Sequence, residues 1–196
     1  MTAPRLEGKL VVLEPLAAEH EEALREAARD PELWRFGYAD FSRDFDPWWR
    51  EARATQAAGT SIPFATVERA GGRVVGSSRF ATLRPEHRGA EIGWTWVVRE
   101  LWGSGVNVEA KLLMLEHAFE RMGLARVEFK TEATNERSRA ALAALPAQFE
   151  GVFRHHLWVR GGEWRDSAYY SVLEEEWPEV RRTLERRLAA KSSAVR

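Results

Sequence analysis

The chain contains no cysteine. That absence excludes disulfides, thiolate nucleophiles and cysteine-held metals. It has no surplus of either charge, 29 basic residues standing against 30 acidic ones. No overall basic footprint therefore points to nucleic acid. It also lacks long apolar runs. No stretch approaches the ~20 apolar residues of a membrane-spanning helix. The segment Met1-Thr-Ala-Pro-Arg-Leu-Glu-Gly-Lys9 has no hydrophobic run of a secretory signal. The expectation is a cytoplasmic protein with no nucleic-acid partner and no membrane partner. The five histidines offer no ligand spacing. His155 and His156 are adjacent, so on a strand they face opposite ways, and no metal site is expected.

What is present is a sizeable potential core. Apolar residues make up 44% of the chain and include nine tryptophans. A length of 196 residues suits one domain, taken here as 1–196. Leu10-Val-Val-Leu13 has the look of a short first strand, followed by a helical run from Leu16 to Ala28. Trp34 to Asp46 is aromatic and irregular. Its aromatic residues are expected to be core more than the lining of an acceptor pocket. Pro47 opens a helix over Trp48 to Ala58. Ile62–Arg69 and Arg73–Leu83 form a hairpin around Ala70-Gly71-Gly72. Gly89–Val97 follows as a strand on which Ala90, Ile92, Trp94 and Trp96 share one face and Glu91, Gly93 and Thr95 the other. After a loop, Val108, Leu112, Leu115, Phe119 and Met122 form one helical stripe that Gly123 closes. Arg126–Glu132 is a strand and Asn135–Leu145 a helix. Phe149–Arg160 and Glu163–Glu174 make a second hairpin, and about 175–191 is a C-terminal helix, with Lys191–Arg196 frayed. The helix between Gly89–Val97 and Arg126–Glu132 makes those two strands a parallel pair. The class is α/β (α+β), a mixed and mostly antiparallel sheet flanked by helices.

The informative segment is the loop Trp102-Gly103-Ser104-Gly105-Val106-Asn107 between a strand and a helix. Glycines at a helix mouth let backbone amides approach an anion, which the helix dipole favours. A diphosphate suits such a place; a plain two-glycine turn is the other reading.

In this segment the chain resembles the GNAT superfamily of N-acetyltransferases, whose coenzyme A loop follows Arg/Gln-x-x-Gly-x-Gly/Ala. Aligned on Gly105, Trp102 stands where the basic residue or Gln is expected and Asn107 at the last position. Glu91-Ile-Gly-Trp94, Asn135-Glu-Arg-Ser138, Phe149-Glu-Gly-Val-Phe-Arg154 and Asp166 ahead of Tyr169-Tyr170 resemble, in order, elements of the ribosomal-protein-alanine (RimJ/RimL-type) branch. The resemblance covers Gly72 to Glu174. It implies a GNAT fold whose central parallel strands splay, with acetyl-CoA as cosubstrate and no metal. The acceptor it implies is a primary amine, on a protein N-terminus or a small molecule; pairing as a homodimer stays open. It places coenzyme contacts at Trp96, Val97 and Val98, at Trp102, Gly103, Ser104, Gly105, Val106 and Asn107, and at Asn135. Backbone near Trp96 or Val97 would meet the thioester oxygen. Asn135 is equally a helix N-cap.

Glu91 is the carboxylate best placed as general base and Ser138 the candidate proton donor to the leaving thiolate, each with a plain structural alternative. Two departures from the family pattern matter. Leu142 occupies the position of a Tyr that many members use, and Leu157 that of a Glu in the closest branch. Both also suit an acyl-CoA-binding or sensing domain without catalysis.

Overall fold

The computed structural model describes residues 3–159 and 161–193. Its centre is one eight-stranded sheet in the order β1-β2-β3-β4-β5-β6-β8-β7. The strands are β1 (Leu6–Glu7), β2 (Val11–Pro15), β3 (Ile62–Glu68), β4 (Val74–Arg84), β5 (Gly89–Val97), β6 (Arg126–Glu132), β7 (Gln148–Val159) and β8 (Glu163–Leu173). The helices are α1 (Glu21–Ala27), α2 (Asp46–Ala57), α3 (Val106–Glu116), α4 (Glu136–Ala144) and α5 (Trp177–Ser193). The mixed sheet and its parallel β5–β6 pair agree with the expected class. Only β1 escaped sequence reading, being two residues long. Residues 194–196, the end of the segment expected to fray, lie outside the described residues.

Both faces of the central strands are buried, whereas β7 at the sheet's edge is largely exposed. On one face the core runs through Leu13, Phe80, Met114, Val127 and Leu184, under α3 and α5. The other face carries a second cluster in which Leu24, Trp34, Phe41, Phe45 and Trp48 pack on Ala65 and Trp96. Trp34 meets Phe41 edge-on at 5.0 Å and Trp96 at 5.3 Å. The irregular aromatic segment is thus core, as expected, and its rim also lines a cavity described below. The stripe along α3 and the π-helical turn His117–Arg121 that continues it is only partly as expected. Leu115 and Phe119 are buried, whereas Val108, Leu112 and Met122 are half-buried and Val106, Ala110, Met114 and Ala118 are inside. Small alanines carry little weight in a hydrophobic pattern but let a helix lie close to a sheet.

Two polar residues on α3 are buried with it. The Glu109 carboxylate accepts from the amides of Lys9, Leu10 and Val11 at 2.6–2.9 Å, which pins the helix start to the β1–β2 turn. The other, Lys111, reaches the hydroxyls of Ser78 and Thr95.

One expectation about β5 is overturned. Ser77 pairs with Trp96 but Arg79 with Gly93, so two residues of β5, Trp94 and Thr95, oppose the single Ser78 of β4. This bulge puts Trp94 at φ +52° and reverses the alternation beyond it. Trp94 and Trp96 therefore lie on the Glu91 face with the aromatic cluster, while Thr95 turns to the α3 face and meets Lys111.

Candidate active site

The parallel pairing of β5 with β6 is short: Gly89 with Arg126, Ala90 with Val127, Glu91 with Glu128. Beyond Glu91 the strands part. A cavity of about 220 Å³ opens in the gap, walled by Trp94, Thr95 and Trp96 on one side and Lys130, Thr131 and Asn135 on another. A second cavity of about 260 Å³ runs to the loop before α3. The two share Leu33, Thr95, Trp96, Asn107, Arg137 and Ser138, so they adjoin.

The loop end is cationic. Arg137, Arg187 and Lys191 line the second cavity, with no acidic residue among its walls. Sequence reasoning missed all three. Trp102, standing where a basic residue was expected, carries one of them: the Arg137 guanidinium lies 3.4 Å over its ring. Its indole N–H is fixed by a 2.8 Å bond to the Val97 carbonyl. Lys191 donates to the Gly103 carbonyl, and Arg187 to that of Ala144 at 2.6 Å. The first amides of α3 have no intrahelical acceptor and add their partial positive charge.

Of the loop residues, Trp102, Gly103, Gly105 and Asn107 face this cavity. Ser104 does not. Its hydroxyl donates to Leu101 O at 2.7 Å and accepts from Val106 N at 3.3 Å. Val106 is core, at 4% exposure. Gly103 has φ +79° and open space where a Cβ would stand, whereas a Cβ on Gly105 would meet Leu10 and Lys191 at 3.1 and 3.2 Å. Gly105 is thus held close by packing, and Gly103 is the glycine that faces free space. Asn107 Oδ1 is buried without a hydrogen bond, a polar atom ready for a donor.

The backbone expectations along β5 need correction. Val98 N donates to Val75 O at 2.8 Å. By strand alternation the polar groups of Trp96 face β4 as well. Val98 and Trp96 are therefore spent on the sheet, and Trp96 contributes its ring instead. Val97 faces the open edge, where its carbonyl holds Trp102.

At the other end Glu91 is 4% exposed and its Oε2 lies 2.9 Å from Lys130 Nζ. Gly93 leaves room for this carboxylate; a Cβ there would sit 2.5 Å from Glu91 Oε1. Burial opposes the charge of Lys130, but Glu91 and the nearby tyrosines outweigh it and raise its pKa. Ser138 lines both cavities. Asn135 caps α4, its Oδ1 accepting from Ser138 N at 3.1 Å, and the same residue walls the first cavity. Leu142 also lines it. Lys111 is 6% exposed and bonds only to hydroxyls, those of Ser78 and Thr95. Burial pushes it down to about 7.

Two extra residues on β7 between Phe153 and Leu157 disturb its alternation. Asp166 Oδ1 holds the His155 amide there at 2.7 Å. His156 bonds Ser167 Oγ at 2.9 Å, and His155 stacks on Trp164. Burial, then Lys130 and Arg165, lower the His156 pKa. Leu157 pairs with Arg165, so no carboxylate enters from that position. Among the described residues no cluster of three potential metal ligands occurs, and no helix is long and apolar enough to cross a membrane.

A parallel pair that parts before a helix mouth is the arrangement that the resemblance to the acetyltransferases implied. The chain belongs to the GNAT acetyltransferase family, residues 11–148 matching the model described as acetyltransferase (GNAT) domain. It is 30% identical over 100 residues to the uncharacterized N-acetyltransferase YoaA of Bacillus subtilis, 51% of this chain and 55% of that protein. It thus spans about half the length of the curated relatives it first matches. Among solved structures, a GCN5-related N-acetyltransferase from Brucella melitensis superposes with a TM-score of 0.85 at 27% identity, covering 94% of this chain and 85% of that one. RimJ of Mycobacterium smegmatis, solved with CoA-disulfide, gives 0.76 at 25% identity, with 96% and 93% covered. The fold resemblance extends to the RimJ type.

Proposed function

We propose that the protein moves an acetyl group from acetyl-CoA to a primary amine by direct attack. The observation that carries this reading is the continuous path from the cationic helix mouth, through the gap between β5 and β6, to Glu91. Gly103, Asn107, Arg137, Arg187, Lys191 and the α3 amides would hold the coenzyme's phosphates and the start of its arm. The Val97 amide and Asn135 would meet the arm further in. The cosubstrate supplies the thioester carbonyl. Glu91 takes the proton that the amine must shed, and Ser138, between the two cavities, is placed to give one to the departing sulfur. Homologues named N-acetyltransferases support the reaction class.

Free-thiol release from acetyl-CoA over a panel of amines tests this reading. Leu142 and Leu157, in place of two polar family residues, favour a second one, a sensing domain; coenzyme binding without release on any amine would select it. Glu91→Gln keeps shape but removes proton acceptance. Its turnover at neutral pH is expected to fall at least ~10-fold, with the loss shrinking as pH rises and the amine deprotonates unaided. Superimposed pH–rate profiles of wild type and variant would eliminate Glu91 as base.

Asn135 is separable by two variants. Asn135→Ala removes the cap and should cost about 1 kcal/mol of stability together with coenzyme affinity. Asn135→Asp keeps an acceptor for Ser138 N but loses the amide donor. It should retain stability in urea titration and still bind coenzyme less tightly. Equal calorimetric affinity of Asn135→Asp and wild type would leave Asn135 as a cap only.

A further inference from the structure

One wall of the first cavity carries a buried guanidinium. Arg165 projects from β8 and is 6% exposed. It lies 4.3 Å over the Tyr38 ring. Its Nη1 reaches the Phe36 carbonyl only at 3.5 Å. Its Nε is 3.3 Å from Glu132 Oε2, but out of line, so this buried nitrogen makes no hydrogen bond. Arg165, Phe36 and Tyr38 all line the cavity. Here is a buried guanidinium, beside Glu132, whose Nε–H is left without a hydrogen bond.

The charge of the walls is unusual for a site that receives an amine. The basic side chains lining it are Lys111, about half neutral at pH 7, with Lys130, Arg137 and Arg165, against Glu91 in the wall and Glu132 behind Arg165. Glu91 is already paired with Lys130. Arg137 belongs to the coenzyme end. An ammonium alone would enter against this field; a molecule carrying its own negative charge would not. A guanidinium fork matches a carboxylate in shape as well as charge.

We infer that the acceptor is a small primary amine bearing a carboxylate a few bonds away, as in an amino acid or short peptide with a free C-terminus, and that Arg165 binds this carboxylate. Arg165 is a specificity residue, not part of the bond-making chemistry. The inference rests on the amine-acetyltransferase reading for its amine and on Arg165 for its carboxylate.

The test uses amino acids of varied side chain, each matched with its C-terminal amide and its decarboxylated amine. With wild-type protein and acetyl-CoA, kcat/KM should favour the carboxylate member of the productive pairs by at least about 10-fold, chiefly through KM. Arg165→Gln should abolish that preference. Binding is measured separately by calorimetry, with the N-acetylated amino acids and their N-acetylated amides, and needs no turnover. Carboxylate-selective binding without acetyl transfer would uphold Arg165 and sink the catalytic reading. Amide and amine members that equal or exceed their acids in the wild type, or products that bind without regard to the carboxylate or not at all, would overturn the inference. These wild-type comparisons stand even if Arg165→Gln folds poorly.

Discussion

Replacing Lys111 with methionine is expected to stabilise the protein by on the order of 4–5 kcal/mol at pH 6, and by progressively less as pH rises. The lysine is buried with two hydroxyls and no carboxylate, and burial lowers its pKa to about 7. The unfolded chain keeps an ordinary lysine near 10.4. Below about 7 both states hold the proton, so the full cost of burying the charge is felt. Between there and about 10.4 the native state has shed its proton while the unfolded state retains it, so wild-type stability rises with pH through that window. The variant lacks this dependence at position 111, and the gap should close by up to about 1.4 kcal/mol per pH unit. The orphaned hydroxyls of Ser78 and Thr95 are already 2.7 Å apart and can satisfy each other. Urea titrations of both proteins at pH 6, 8 and 9.5 decide the matter. Parallel stability curves would mean that Lys111 reaches water or finds an unseen partner.

How much of this was legible beforehand follows from which physical signals are local. The bounds of β5 and β6 emerged intact because alternation, glycine and the crossover helix are written in neighbouring residues. The bulge at Trp94 was not legible. Ala90, Ile92, Trp94 and Trp96 are all apolar, and both faces of the central strands are buried, so a reversal of phase leaves the pattern of hydrophobicity unchanged. That hidden reversal is what puts Glu91 on the same side as the tryptophans. Ser104 and Val106 looked like ligand contacts because a motif marks positions, while the direction of each side chain depends on φ and on packing against α5. Buried cations were the largest omission. Lys111, Arg165 and Arg79 look in sequence like solvated residues, and a lone basic residue carries no local sign of its burial. The rim cations were missed for another reason. Arg137 and Lys191 are brought to the loop only when α4 and α5 dock, so sequence proximity could not pair them with Trp102.

The loop's departure from the family pattern leads to the second large effect. The resemblance expects a basic or Gln side chain at position 102, and Trp102 cannot supply a charge. What it supplies is a surface. With its N–H tied to Val97 O, the indole presents a fixed face, and Arg137 lies flat on it, an arrangement that orients the cation. Arg187 and Lys191 come from α5, a helix outside the motif. Three cations with no acid among the cavity walls would meet the several negative charges of a coenzyme A diphosphate and phosphate. Each hydrogen bond to a charged group is worth about 1.5–3 kcal/mol, discounted at a rim where water and salt screen it. The triple variant Arg137→Ala, Arg187→Ala, Lys191→Ala should therefore bind coenzyme A on the order of 100-fold more weakly at low salt. Wild-type affinity should fall as salt is added and that of the variant much less, because little charge remains to screen. Trp102→Ala should act through Arg137 alone. Its loss should be smaller, and it should nearly vanish when Arg137 is already alanine, a non-additivity that a double-mutant cycle reads directly. Circular dichroism melts guard against trivial unfolding, since Arg187 also bonds Ala144 O. If the triple variant keeps both its affinity and its salt response, the phosphates do not lie at this helix mouth, and the alignment of the loop on Gly105 must be abandoned.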